Sequence, residues 1–125
     1  MTRRTANTGD REGQDAVFYS VARLFAVLST PIRLKIISAL CQGEQNVSQL
    51  LEVIDTTQPN MSQHLSTLYR AGVLERRREG TQIHYRLASE RVATLCRAVC
   101  TQVERELDGD AALAPAQRLL PRGAR

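Results

Sequence analysis

Between Thr57 and Leu87 the chain carries side chains better suited to reading a polymer than to filling a core. Thr57, Gln58, Asn60, Ser62, Gln63 and His64 form one short run, and Arg76, Arg77 and Arg78 follow it. Glutamine and asparagine pair a donor with an acceptor, the pattern that matches an adenine edge in the DNA major groove. Serine bonds either class of base, and an imidazole donates or accepts. The three arginines, with Arg86, suit phosphate oxygens or an adjacent minor groove. A second chemistry lies in Cys41, Cys96 and Cys100. Cys96 and Cys100 are four residues apart, which puts them on one face of a helix. Three thiolates suit a soft ion such as arsenite, antimonite or Cu(I). A pair can instead close into a disulfide or polysulfide bridge. Each thiol also fits the blander role of a small buried hydrophobe. No Cys-x-x-Cys, Ser/His/Asp set or carboxylate pair stands out, so an enzyme, a thiol oxidoreductase included, is not expected.

Positioning these groups requires particular elements. Thr57 can cap a helix, Pro59 fits its first turn, and Met61, Leu65 and Leu68 give it an apolar stripe that ends before Gly72. The polar run falls mostly outside that stripe. Upstream, "NVSQLLEVID" is a short helix, with Asn46 and Gln49 at capping-box spacing and Leu50, Leu51 and Ile54 inward. Two short helices joined by a tight connection match a helix-turn-helix, whose second member enters a major groove with its N-terminal side chains toward the bases. Its first-turn N–H groups, with Thr56 or Thr57, can hold a phosphate.

The period then changes. Val73, Leu74, Ile83, Tyr85 and Leu87 alternate on either side of "EGT", as in a two-stranded hairpin. Before these elements, Val17, Val21, Leu24, Phe25 and Leu28 mark one amphipathic helix. A second follows with Thr30 as cap, Pro31 in its first turn, Gly43 past its end, and Ile32, Ile36, Ile37, Ala39 and Leu40 inward. A last helix carries Val92, Cys96, Val99, Val103 and Leu107. The expected fold is mainly α with a small β-hairpin: a winged helix-turn-helix in the order helix, helix, helix, helix, strand, strand, helix. The folded part spans 14–108, with a disordered arm over 1–13 and a flexible tail over 109–125.

The totals agree. A chain of 125 residues suits one domain. Its hydrophobic content of 42% supports a core, but Trp is absent, so apolar area shared with a second subunit would help. The formal charge is +4 and arginine heavily outnumbers lysine, which makes nucleic acid a plausible partner. No stretch has membrane-spanning length, and "MTRRTANTGDREGQ" lacks the apolar core of a signal peptide. A cytoplasmic protein with reduced thiols is expected.

"LSTPIRLKIISAL", "VSQLLEVI", "TTQPNMSQHLSTLYRAGVLERRREGTQIHYRL" and the closing helix together resemble the ArsR/SmtB family of bacterial winged-helix repressors. The resemblance covers nearly all of the folded part. It implies a homodimer, built by the first and last helices, that binds a pseudo-palindromic operator and is released by an effector. One common metal site of that family is a Cys-x-Cys opening the third helix, where this chain has "NVSQLL". Another is an Asp/His/Glu zinc site on the last helix, which here has no histidine; the only two are His64 and His84. A tetrahedral N/O zinc site is therefore disfavoured, and no metal or cofactor is expected. The cysteines instead resemble those of the persulfide- and redox-responsive members, of the BigR/SqrR kind, which use one thiol from the second helix and one from the last. A repressor of operator DNA, switched by reactive sulfur or oxidant at Cys41, Cys96 and Cys100, is the leading expectation. The alternatives are an arsenite- or antimonite-binding sensor on the same thiolates, or a winged-helix protein-interaction module without DNA.

Overall fold

The computed structural model describes residues 8–111. Five helices and three strands follow in the order α1 Thr8–Leu28, α2 Pro31–Leu40, β1 Gln45–Asn46, α3 Val47–Val53, α4 Gln58–Arg70, β2 Leu74–Glu79, β3 Gln82–Leu87 and α5 Glu90–Ala111. They divide into two compact units, one running through Ala88 and the other beginning at Ser89.

Local chemistry accounts for the helix ends of the first unit. Thr30 accepts from the Arg33 N–H at 3.1 Å and caps α2, with Pro31 in the first turn. Asn46 and Gln49 form a full capping box at α3, with both bonds at 2.8 Å. Thr57 caps α4 by accepting from the Asn60 N–H at 3.2 Å. At the other end of α4, Val73 N–H bonds Leu68 O and Gly72 N–H bonds Tyr69 O, both at 3.0 Å, with Gly72 at φ +81°. These are the two bonds of a Schellman stop, which needs a left-handed residue at that position.

Ile36, Ile37, Leu40, Leu50, Ile54, Met61, Leu65, Leu68, Val73, Leu74 and Tyr85 form the core. Helices α2, α3 and α4 each give it one stripe, so the apolar face of α4 is buried while its polar face stays outside. Ile32, Ala39 and Leu51, expected inward, are half-buried. Strands β2 and β3 pair antiparallel from Leu74↔Leu87 to Glu79↔Gln82. Gly80, at φ +66°, opens a two-residue loop of the kind that makes tight hairpins.

Two differences from the sequence expectation have clear causes. The sheet has three strands in the order β1-β3-β2, because Gln45 and Asn46 pair with Tyr85 and His84. Two residues are too few to show an alternation, so this strand is specified by its partner. Helix α1 begins at Thr8 and therefore takes in residues 8–13, which were expected in a disordered arm. Those residues are polar and show no periodicity, yet Asp10 in the first turn complements the helix dipole. The last helix likewise takes in 109–111. The remainders of the arm and the tail, 1–7 and 112–125, lie outside the described residues.

Candidate nucleic-acid interface

On α4 the three buried residues Met61, Leu65 and Leu68 leave Gln58, Asn60, Ser62 and Gln63 exposed. Gln58 and Ser62 are one turn apart on one face, and Gln63, about 100° further round from Ser62, flanks it in the N-terminal half of the helix. Asn60 is partly committed, since its Nδ2 donates to Thr56 Oγ1 at 2.7 Å. Thr57 is occupied as the cap.

His64 has a different environment from the rest of the run. Its ring is half-buried and its Nδ1 accepts from Arg33 Nε at 3.1 Å. Burial and the Arg33 charge both hold its pKa below the ordinary histidine value. The folded state therefore binds this proton less readily than the unfolded chain. The stability that follows is fully present above the ordinary value of ~6.5 and is lost as pH falls through the lowered folded value. Urea titrations from pH 7.5 down to 5 should show stability falling over that window, and His64→Asn should flatten the fall.

The hairpin carries its arginines on two faces. Arg76 lies opposite Tyr85 and Arg78 opposite Ile83, on the same face as the Leu74–Leu87 pair. Arg77 faces the other way, opposite His84. Arg77 closes on Glu44 with a fork, Nε–Oε2 at 2.9 Å and Nη2–Oε1 at 2.8 Å, and reaches Glu79 at 3.3 Å. The fork holds the Glu44 carboxyl below its usual range. Arg86 pairs with Glu75 at 2.7 Å. The Arg76 guanidinium sits 4.0 Å from the Tyr69 ring centroid, a cation–π contact that ties the wing to the last turn of α4. Among the described residues, Arg78 is the one hairpin arginine with neither an ion pair nor a ring contact. The basic wing of the sequence thus resolves into three anchored arginines and one unengaged cation. The Arg77–Glu44 clasp joins residues 33 apart, and sequence reasoning did not find it.

Between the reading face and the hairpin tip lies a cleft of about 230 Å³, lined by Asn46, Val47, Ser48, Gln58, Thr81, Gln82 and Ile83. Asn46 Nδ2 donates to Gln82 Oε1 at 3.2 Å along its side. The lining carries no charge, and its amide and hydroxyl groups are neutral bonding partners.

Cys41 is exposed at the C-cap of α2, where its N–H bonds Ile37 O at 3.0 Å. On α5, Cys96 is half-buried and Cys100 exposed, one turn apart. All three are thiols. Among the described residues, no group of three His, Cys, Asp or Glu is arranged to hold a metal ion. Nor is any single helix there long and apolar enough to cross a membrane.

Residues 30–76 match the family described as bacterial regulatory protein, arsR family. The chain is 43% identical over 79 residues to a biofilm growth-associated repressor of Agrobacterium fabrum, covering 63% of this chain and 68% of the relative. The crystal structure of the transcriptional repressor BigR from Xylella fastidiosa superposes with a TM-score of 0.66 at 38% identity, over 73% of this chain and 93% of that one. A solution structure from Mycobacterium bovis, described as a homodimeric winged helix-turn-helix DNA-binding domain, gives a TM-score of 0.71 at 33% identity, over 84% and 95%.

Proposed function

The chain belongs to the arsR family of bacterial regulatory proteins, and on that premise we propose that it is a dimeric, DNA-binding transcriptional repressor whose grip on its operator is switched by chemistry at its cysteines. The observation that carries the DNA-binding part is the exposed polar face of α4, Gln58, Ser62 and Gln63, beside a wing whose tip bears the unengaged Arg78. With α4 in a major groove and the hairpin tip at the neighbouring minor groove, the strand between them crosses the neutral cleft. There Ser48, Thr81 and Gln82 can donate to phosphate oxygens.

Two exposed apolar faces support self-association. Helix α1 presents Phe18, Val21 and Phe25, which are 71%, 39% and 53% exposed, and α5 presents Val99, Val103 and Leu107. Faces of this kind are surfaces to be covered by a second subunit. A two-fold dimer presents two reading helices about 34 Å apart, one turn of duplex.

For the switch, the supporting observation is that Cys41 and Cys100 are both solvent-accessible thiols, one at the C-cap of α2 and one on α5. Joined directly, the two sulfurs lose two protons and pass two electrons to the oxidant; with a polysulfide donor, one thiol breaks an S–S bond of the donor and takes up its sulfane sulfur as a shorter polysulfide leaves, and the second thiol then displaces hydrosulfide from that chain, so that a sulfur-bridged pair remains. Either link ties the end of α2, which packs against the reading helix α4, to the interface helix α5 and biases the dimer toward one spacing. A coupling of ~1–3 kcal/mol changes operator affinity roughly 5- to 150-fold. Gel shifts with a selected operator duplex test this directly. Polysulfide should release the wild-type complex and leave Cys41→Ser and Cys100→Ser bound, and mass spectrometry should show the added sulfur on those two thiols. Complexes that survive both polysulfide and arsenite would end the sensing proposal, while release by arsenite alone would favour the metalloid reading.

A further inference from the structure

Arg33 lies in the first turn of α2, outside every element expected to touch DNA. Its side chain is half-buried and has no carboxylate partner among the described residues. Instead it forks. Nη1 donates to Val27 O at 2.8 Å, and Nε donates to His64 Nδ1 at 3.1 Å. Val27 is in the last turn of α1, where carbonyls lack helical partners and the helix dipole favours a cation. Ser29 covers the neighbouring Ala26 carbonyl, through its N–H at 3.3 Å and its hydroxyl at 2.7 Å. The Arg33 backbone is fixed as well, because its N–H is the one that bonds the Thr30 cap. One planar, rigid group thus holds three helices, with both ends of its fork in fixed directions.

We propose that Arg33 is a positioning residue for DNA recognition, fastening the reading helix through His64 to the end of α1. The proposal rests on the reading of α4 as the recognition helix. His64 follows Gln63 directly and Ser62 by two residues. Each residue advances a helix by about 100°, so a bond fixed at His64 also fixes the direction of both reading side chains. The bond sets the chemistry of the ring too. A nitrogen that accepts from a guanidinium carries no proton, so the hydrogen of the neutral ring is on Nε2. A doubly protonated ring would offer Arg33 no lone pair and add a second cation beside it. Because α1 also bears the exposed Phe18, Val21 and Phe25 face, Arg33 is the polar link by which a change at a dimer surface reaches the reading helix.

Four variants of the full-length chain test this: Arg33→Met, which keeps the stem and removes the fork; His64→Ala; His64→Asn, whose Oδ1 stands near the place of Nδ1; and the double variant Arg33→Met/His64→Ala. Binding is read by fluorescence anisotropy on a duplex selected by the wild type, over a range of salt. Arg33→Met should bind at least tenfold more weakly with an unchanged salt slope, since no phosphate contact is lost. His64→Asn should recover most of the affinity lost in His64→Ala. The double variant should be no weaker than the worse single one, because both remove one bond. By NMR, the His64 titration midpoint should rise in Arg33→Met.

A salt slope reduced by about one in Arg33→Met makes Arg33 a phosphate ligand and overturns the proposal. Additive losses in the double variant overturn it too, as does unchanged affinity in Arg33→Met. Should Arg33→Met fail to fold, the His64→Ala and His64→Asn pair decides: equal loss in both counts against the proposal, and rescue by asparagine supports it. A wild type that selects no duplex overturns the recognition-helix reading and this proposal with it. A wild type that binds while Arg33→Met binds equally well overturns this proposal alone.

Discussion

Replacing Gln63 with alanine should weaken operator binding by ~1–3 kcal/mol, roughly 5- to 150-fold, and relax preference at the base pair it contacts. Gln63 is exposed on the same half-turn as Ser62, and among the described residues no side-chain partner competes for its amide. Its backbone carbonyl accepts from Thr67 Oγ1 at 3.0 Å, which steadies this turn of α4 without occupying the side chain. The loss should therefore appear in affinity and sequence preference while the melting temperature stays near that of the wild type. The salt slope should stay unchanged, because a neutral amide releases no counterions. Arg78→Ala should behave oppositely, weakening all duplexes alike and lowering the slope by about one. Arg77→Ala is expected to act mainly by freeing the wing from Glu44, since its guanidinium is already held at 2.8 Å. Anisotropy titrations at several salt concentrations distinguish the three. A Gln63→Ala variant with wild-type affinity and preference would contradict its assignment.

The second large effect concerns stability. Leu65→Ala should cost ~2–5 kcal/mol, because the side chain is fully buried and its removal leaves a cavity in a close-packed interior. Domains of this size have only ~5–15 kcal/mol in all. A loss of that order brings the variant near its threshold and lowers the urea midpoint with little change in slope. Leu107→Ala, by contrast, removes a residue that is 60% exposed in the single chain. Its cost should appear in dimer dissociation, measured by sedimentation, rather than in the core.

Much of this architecture was legible from local sequence. Thr30, Asn46 and Thr57 all cap where their spacing placed them, because a cap needs only a backbone N–H three residues ahead. The Met61, Leu65 and Leu68 stripe was equally clear, and so was the polar face it leaves outside. What escaped was non-local. The β1 strand exists only because β3 offers it partners, and a two-residue strand has no pattern of its own. The clasp of Arg77 on Glu44 and the fork of Arg33 on His64 join residues 33 and 31 positions apart. Residue type alone made His64 and Arg77 equal members of a reading surface. The fold instead gives His64 a half-buried place facing Arg33 and gives Arg77 an ion pair. The start of α1 was missed for the opposite reason: Thr8 to Gly13 is helical without any apolar residue to mark it.

The central claim is that the exposed face of α4 reads a duplex as one half of a symmetric pair. Selection of wild-type binders from a randomised double-stranded pool, followed by sequencing, tests it most directly. The wild type should enrich an inverted repeat with half-sites about 10 base pairs apart, and the Gln58→Ala/Ser62→Ala/Gln63→Ala variant should lose that enrichment while still binding duplex weakly. Enrichment of the same repeat by both proteins, or of none by the wild type, would contradict the account.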